Sequence, residues 1–378
     1  MRTLAPDELM ALRDAVARLL ADHSTEAHVR RTMETASGFD PALWAQLAEM
    51  GITGLLVDEQ HGGSGAGPVE IERVMEEAGA ALLCSPLLAS CVLAAGMLAA
   101  SGDADAQARL LPGIARGTTI ATVALTGPRG TWTPEGVEVS ANLRGSSWSL
   151  DGTANYVLHA QNAHVLLVVA RTAGGMGLFE VDPSMGGVAL HSLPTFDHTL
   201  RMSRIEFANA PARAIGRKGD GQDGEGGAGW AAAEAALDLA RIALAGEQAG
   251  GARRTLEFTV EYAKTRIQFG RAIGSFQAIK HMAADLLLES ESATSAARHA
   301  AQAHAAGAAD AAQSISLAAF ACADAFVKVT ADAVQMHGGI AFTWEHPAHL
   351  YLRRARAAAQ LFGGSAFYRE RYIQQLGG

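Results

Sequence analysis

The chain has 378 residues, 49% of them apolar and 18% charged, and a net charge of −9. That composition is enough to bury a sizeable core in two or three structural units and excludes a disordered chain. The acidic balance, with no stripe of Lys and Arg, excludes a nucleic-acid backbone as partner. Cys84, Cys91 and Cys322 are odd in number and lack metal or redox spacing, which indicates a reduced, cytoplasmic chain. Residues 1–23 scatter Glu8, Arg13, Asp14, Arg18 and Asp22 among apolar positions, so no signal-peptide centre is present there.

The first region, 1–117, reads as helical. Asp7-Glu8 opens an amphipathic segment, and Phe39-Asp40-Pro41 starts another, with Asp40 as cap and Pro41 in the first turn. Residues 51–57 form a short apolar connector, Gly62 to Gly65 a loop, and a further helix begins at Val69. Residues 78–102 carry no charge but are mostly Ala, Ser, Gly and Cys with Pro86 inside. Small residues of low hydropathy suit close helix packing better than lipid, so a buried pair of short helices is expected and no membrane span.

The second region, 118–226, changes period. Short β-branched or alternating runs at 119–126, 165–170, 177–181 and 203–207 are separated by Asp151-Gly152, Gly174-Gly175 and Gly186-Gly187. The pattern indicates an antiparallel barrel or sandwich rather than βαβ units. The stretch 216–229, across the junction with the third region, is dense in Gly and charge. A literal dinucleotide pattern, Gly219-Asp-Gly221-Gln-Asp-Gly224, lies there. No strand leads into it, and Asp220, Asp223 and Glu225 would repel a pyrophosphate, so a mobile linker is expected. The third region, 227–378, returns to Ala-rich helical segments at about 230–264, 275–305 and 308–336, with a last helix from near 346. Long helices on short connectors indicate an antiparallel bundle.

Within that third region stand Tyr262-Ala-Lys-Thr-Arg266-Ile-Gln268-Phe269-Gly270, then Ile273-Gly-Ser-Phe276-Gln277-Ala-Ile-Lys-His281, and later Gln335-Met-His337-Gly338-Gly339-Ile-Ala-Phe342. These runs resemble the C-terminal flavin signatures of the acyl-CoA dehydrogenase family, and the helix–barrel–helix order resembles its fold over nearly the whole chain. The resemblance implies an α+β protein with a helical N-terminal domain, a central antiparallel β-barrel and a C-terminal four-helix bundle. It also implies FAD, an acyl-CoA substrate, an electron-transfer acceptor, and an oligomer, homo- or hetero-, dimer or tetramer. In the family these segments reach FAD held by a neighbouring, related chain.

The residue types suit that role. Arg266 offers a fork of donors for a diphosphate, Gln268 a hydrogen-bonding amide, and Phe269 and Phe276 aromatic surface. Gln335 opens the second motif, where Gly338 and Gly339 permit close backbone approach. In the barrel, Leu125-Thr126-Gly127-Pro128 resembles the family's Ala-Leu-Thr-Glu-Pro loop, with Gly127 in place of the Glu. Asn155-Tyr156-Val157-Leu158 stands where the family has Trp-Ile-Thr-Asn; Tyr156 keeps an aromatic ring, while Leu158 removes a hydroxyl.

The family's α-proton acceptor is missing. One of its two positions, matched from Arg353, falls on Phe362, or on Gly363 with a one-residue slip; the other falls on Ala240 in Leu237-Asp-Leu-Ala-Arg241. None of these side chains accepts a proton. Three readings stand open: a non-catalytic partner in a hetero-oligomer, a displaced base, or oxidase or hydroxylase chemistry on the same scaffold. The segment Thr343-Trp-Glu-His-Pro-Ala-His-Leu-Tyr-Leu-Arg353-Arg354 resembles the actinobacterial-type branch that includes hetero-oligomers. For a displaced base the candidate is Glu247, seven residues past Ala240 on the same helical face, a move of roughly 10 Å. Small side chains over 231–240 leave room for a bulky acyl group. The 13 histidines show no metal-ligand spacing, and His346 and His349 read as a solvated or interface pair.

Overall fold

The computed structural model describes residues 3–216 and 228–377. Six helices come first: α1 (Pro6–His23), α2 (Glu26–Met33), α3 (Pro41–Glu49), α4 (Pro68–Ala80), α5 (Ala95–Ser101) and α6 (Ala104–Ala115). Their starts follow local capping chemistry. Asp40 accepts from the Ala42 N–H at 2.8 Å with Pro41 in the first turn, and Asp103 accepts from Asp105 and Ala106 at the head of α6. A π-wound turn, Leu88–Ala94, runs straight into α5, and this uncharged stretch is buried from Leu88 to Leu98, with Ala99 and Ala100 exposed. Its Ser90 hydroxyl accepts from the Ala121 N–H, tying the helices to the first strand.

Seven strands follow: β1 (Ala121–Ala124), β2 (Ser140–Arg144), β3 (Ser147–Leu158), β4 (Val165–Thr172), β5 (Gly175–Val181), β6 (Val188–Ser192) and β7 (Met202–Ile215). The sheet is mixed, which corrects the expectation of an antiparallel barrel. β1 runs parallel to β4 in the register Ala121 to Val165, and β2 touches β4 in parallel at Ser140 and Arg171. The β2–β3 hairpin, β3–β7, β4–β5, β5–β7 and β6–β7 are antiparallel. β1 enters from the helical region, and the chain makes the β2–β3 excursion before β4 returns beside it. A period of two reports which face is buried; it carries no information on strand direction.

The last region holds α7 (Ala228–Thr265), a two-residue hairpin of β8 (Ile267–Gln268) and β9 (Arg271–Ala272), α8 (Gln277–Ala305), α9 (Ala311–His337), α10 (Ala348–Ala358) and α11 (Ser365–Gln375). The fourth position of the bundle is thus filled by two short helices rather than one. They are broken at Phe362 and Gly363, whose φ values of 60° and 126° no helix accepts. The Gly219–Gly224 pattern lies outside the described residues. The helix from Ala311 to Phe342 is long and apolar enough to cross a membrane by length and composition; here α9 packs against α7, α8, α10 and α11.

α7 is the axis of the molecule, packing on α4, α5, α8, α9 and β5. Its crossing with α4 is close. A Cβ on Gly79 would lie 1.9 Å from the Glu247 carbonyl oxygen, and one on Gly250 would lie 1.7 Å from that of Glu76. α4 carries buried acids into this contact. Burial opposes the charge on Glu76, yet Arg298, Arg253 and Arg73 outweigh it and hold its pKa below the usual carboxylate range. Among the described residues Glu72 pairs only with Arg73, at 3.6 Å, and has a buried Oε1 without a hydrogen-bond partner; burial pushes its pKa up to about 7.

Two outcomes follow from that crossing. Gly250→Ala forces the backbones apart and is expected to cost about 1–3 kcal/mol or more, read as a fall in the chemical-denaturation midpoint. Glu72 favours its protonated form in the fold, so its contribution is full below pH 4.5 and is lost as pH rises through about 7. Glu72→Gln is therefore expected to gain stability over the parent chain progressively across that window. Denaturation at pH 5 and pH 8 measures it.

Candidate functional site

The predicted cofactor residues fall into two groups. The first gathers at the ends of α7 and α9. Arg266 closes α7 through its N–H to the Tyr262 carbonyl, and its own carbonyl accepts from Ile273, which pins the hairpin. Phe269 and Gly270 are the two central residues of that hairpin, with φ of 53° and 77°. Left-handed backbone at both central residues is the type I′ hairpin turn, and a Phe in that conformation is strained. Its ring is 91% exposed. Phe276 meets Phe269 edge-on at 6.2 Å and carries the Arg271 guanidinium 4.0 Å above its centroid.

The Arg266 guanidinium makes no hydrogen bond or ion pair among the described residues, and Gln268 bonds only its neighbour's carbonyl. The second motif lies alongside: Tyr262 stacks on His337 at 4.4 Å, and Gly338 and Gly339 follow at once. Gly338 has φ 67°, and neither glycine has an atom within 4 Å of a Cβ position. Gln335 is exposed beside them. The result is an open shelf with a free guanidinium, a free aromatic face and bare backbone.

The second group lies in the barrel and is differently disposed. Leu125 and Thr126 are buried, and the Thr126 hydroxyl donates to the Thr131 carbonyl at 2.7 Å. Leu158 is buried as well. The space beside Gly127 is taken by the Glu138 side chain, whose Cδ stands 2.5 Å from where a Cβ would be. Only Tyr156 faces a sizeable cavity, of about 470 Å³, shared with Trp132, Met202, Phe196, Arg356 and Gln360. Its backbone is left-handed and its hydroxyl donates to the Pro128 carbonyl at 3.0 Å. Among the described residues no hydrogen bond or ring contact joins the two groups within the chain.

The base positions are apolar and closed. Ala240 is fully buried. Phe362 is fully buried too, its ring set edge-on to Trp132 at 5.2 Å and its carbonyl accepting from the Tyr368 hydroxyl. Glu247 is 3% exposed and ion-paired, its Oε1 accepting from Arg354 Nε at 2.7 Å. Arg354 also donates to Thr199 Oγ1 at 2.7 Å, Asp197 Oδ2 at 3.4 Å and the Leu83 carbonyl. Burial opposes the Arg354 charge, but Glu247 and Asp197 together outweigh it and hold its pKa above the usual arginine value. His159, buried beside this network, is pushed down to about 3 by burial, then by Arg354 and Arg201. Arg354 stood in the motif read from the sequence, but nothing there pointed to Asp197 or Thr199 as its partners.

Family models for the acyl-CoA dehydrogenase N-terminal domain and C-terminal domain match residues 6–118 and 227–376. The chain is 34% identical to the acyl-CoA dehydrogenase IpdE2 of Mycobacterium tuberculosis over 94% of its own length and 93% of that protein's. The chain belongs to the acyl-CoA dehydrogenase family. Among solved structures, a variant of the Tcur3481-Tcur3483 steroid ACAD superposes with a TM-score of 0.87 at 31% identity, covering 98% of both chains. The ChsE4-ChsE5 complex from Mycobacterium tuberculosis gives 0.88 at 30% identity, covering 100% of this chain and 99% of that one. Membership makes the chain an acyl-CoA dehydrogenase-type oxidoreductase of the flavoprotein class.

Breaking the buried pair tests how Glu247 is used. Glu247→Ala leaves Arg354 enclosed with Asp197 as its one counter-charge among the described residues, and is expected to cost about 3–5 kcal/mol, read by denaturation. A loss under about 1 kcal/mol would contradict the structural role of the pair.

Proposed function

We propose that this chain is the base-lacking subunit of a hetero-oligomeric acyl-CoA dehydrogenase. Its open C-terminal shelf completes an FAD site on a related chain that supplies the catalytic carboxylate. The observation that carries this is Phe362: the position matched to the base holds a fully buried phenyl ring packed on Trp132, not a proton acceptor beside a substrate.

The shelf fits a dinucleotide. Arg266 suits the diphosphate, Gln268 and Gln335 supply amides, Phe269 and Phe276 supply aromatic surface, and Gly338 and Gly339 let the cofactor lie against backbone. The barrel fits poorly as a cradle for a flavin of its own. Tyr156 offers a ring, but the Thr126 hydroxyl is spent inside its own loop, and Leu125 and Leu158 offer no donor side chain. FAD, when bound, accepts the β-hydride of an acyl-CoA whose α-proton a carboxylate removes, and passes electrons to an electron-transfer acceptor. In this reading this chain's part is to hold the diphosphate end in the cytoplasmic assembly. Two of the similar solved structures carry two-chain names, and one is titled a steroid ACAD. Both facts support a paired chain and a bulky acyl group.

The competing reading, Glu247 as a displaced base, draws on its place beside Leu158 and His159 at a small internal cavity. Its salt bridge to Arg354 speaks against it, since one carboxylate oxygen already holds a buried cation.

Co-expression with base-bearing homologues separates these readings. The chain alone is expected to be colourless, and the complex yellow and bleached by an acyl-CoA. Arg266→Ala in this chain is expected to lower the flavin content of the complex severalfold, while Glu247→Gln in a folded complex leaves the bleaching rate unchanged. Yellow protein made from this chain alone and bleached by acyl-CoA would overturn the proposal, and loss of bleaching in the Glu247→Gln complex would restore the displaced base.

A further inference from the structure

A cavity of about 630 Å³ lies between α1, α2 and the end of α4 on one side and α7 and α10 on the other, meeting the cofactor motifs in its lining only at Tyr262 and His337. That volume is in the range of small-molecule sites. Its apolar wall is made of Leu20, Val29, Leu82 and Leu350, and its aromatic wall of Phe258, Tyr262 and Tyr351. Phe258 stands 5.4 Å from Tyr351 and 5.7 Å from His337, ring to ring.

Two histidines complete that wall, with ring centroids 4.4 Å apart. His337 is 5% exposed. Its Nδ1 lies 2.7 Å from the Ala333 carbonyl, an oxygen that can only accept, so Nδ1 carries the proton. Burial lowers its pKa and favours the neutral ring, which leaves Nε2 as an acceptor. That nitrogen is buried and has no partner. His346 is the mirror case: its Nδ1 accepts from the Ala348 N–H at 3.2 Å, and burial lowers its pKa. The neutral tautomer then carries its proton on Nε2, as a donor. An unsatisfied buried acceptor beside a ring donor is the arrangement a hydroxyl satisfies, giving one hydrogen bond and taking one.

The rim excludes charged ligands. Arg253 binds Glu77 at 3.0 Å and Glu257 at 3.1 Å, Arg254 binds Glu257 at 3.3 Å, and Glu26 binds Arg30 at 2.7 Å. Among the described residues every charge lining the opening already has a counter-charge, so no unpaired charge there recruits an ionic ligand.

We propose that this cavity binds an uncharged, hydroxyl-bearing ring compound, its ring against Phe258, Tyr262 and Tyr351 and its hydroxyl on the His337–His346 pair. The site is independent of the subunit reading above, since no step of it involves flavin or a base.

The probes are 2-naphthol and 2-methoxynaphthalene, which share a ring system and an acceptor oxygen, the ether carrying a methyl group where the naphthol carries its donor proton. Calorimetric titration of the purified full chain is expected to show 2-naphthol binding about tenfold or more tighter, the worth of one well-made hydrogen bond to an otherwise unpaired group. With the chain labelled at histidine with nitrogen-15, the His337 Nε2 resonance is expected to shift on adding 2-naphthol and to stay in place with the ether. His337→Phe keeps the ring and removes the acceptor, and should bring the two affinities together. Equal binding of both probes, no binding of either, or 2-naphthol binding that leaves His337 Nε2 unmoved each overturns the proposal. The nitrogen-15 measurement holds even if the variant fails to fold. A co-expressed complex in which 2-naphthol no longer binds overturns it as well, because the partner chain would then be the occupant.

Discussion

The Arg354 guanidinium is enclosed where the three regions of the chain meet. From α10 it donates to Glu247 on α7, to Thr199 and Asp197 between β6 and β7, and to the Leu83 carbonyl just past α4. Removing such a cation from water is costly, and only a full set of acceptors with good geometry offsets the cost. Each region supplies part of that set, so none can shift without leaving a buried charge short of a partner. The glycine-lined crossing of α4 and α7 works in the same direction, holding Glu247 at the height where Arg354 reaches it. Helical domain, barrel and bundle are thereby locked in one arrangement.

That lock determines what Glu247 can do. A general base needs a free lone pair aimed at an acidic proton. Glu247 presents one oxygen to Arg354, and its charge completes the balance around a buried guanidinium. Sequence spacing placed it on the correct face of the helix relative to Ala240, and the helix does run unbroken there. Spacing along one helix could not reveal the partner contributed from α10, 107 residues later.

The same limit explains what was and was not legible. The two C-terminal motifs were readable because each is local: a helix end, a tight hairpin, a glycine turn. Their adjacency rests on Tyr262, whose ring stacks on His337 and whose hydroxyl donates to the His337 carbonyl, both residues sitting inside the motifs. Barrel strands were visible as alternation, but their mixed direction arises from β1 lying beside β4, a long-range pairing that leaves no local trace. Thr126 matched by residue type and yet turns its hydroxyl to Thr131, a choice made by the loop's own backbone. The break between α10 and α11 was missed because Phe362 takes a conformation that glycine normally serves, and only Gly363-Gly364 beside it gave a hint.

The distribution of intact and lost features is itself an argument. In an oligomer of identical chains, every site is built from the same barrel, the same base position and the same C-terminal shelf. A phenyl ring at the base position would then disable all sites at once. In a pair of different chains, the shelf of one serves the barrel and base of the other, so only half of each chain's inventory is under demand. Among the described residues this chain keeps Arg266 unpaired, Phe269 strained and exposed, and Gly338 and Gly339 bare, while Phe362 packed on Trp132 closes the base position. Strain and solvent-exposed aromatic area are costs that a folded chain sheds unless a partner uses them. Their retention on one face, beside closure on the other, is the asymmetry that division of labour between two chains allows.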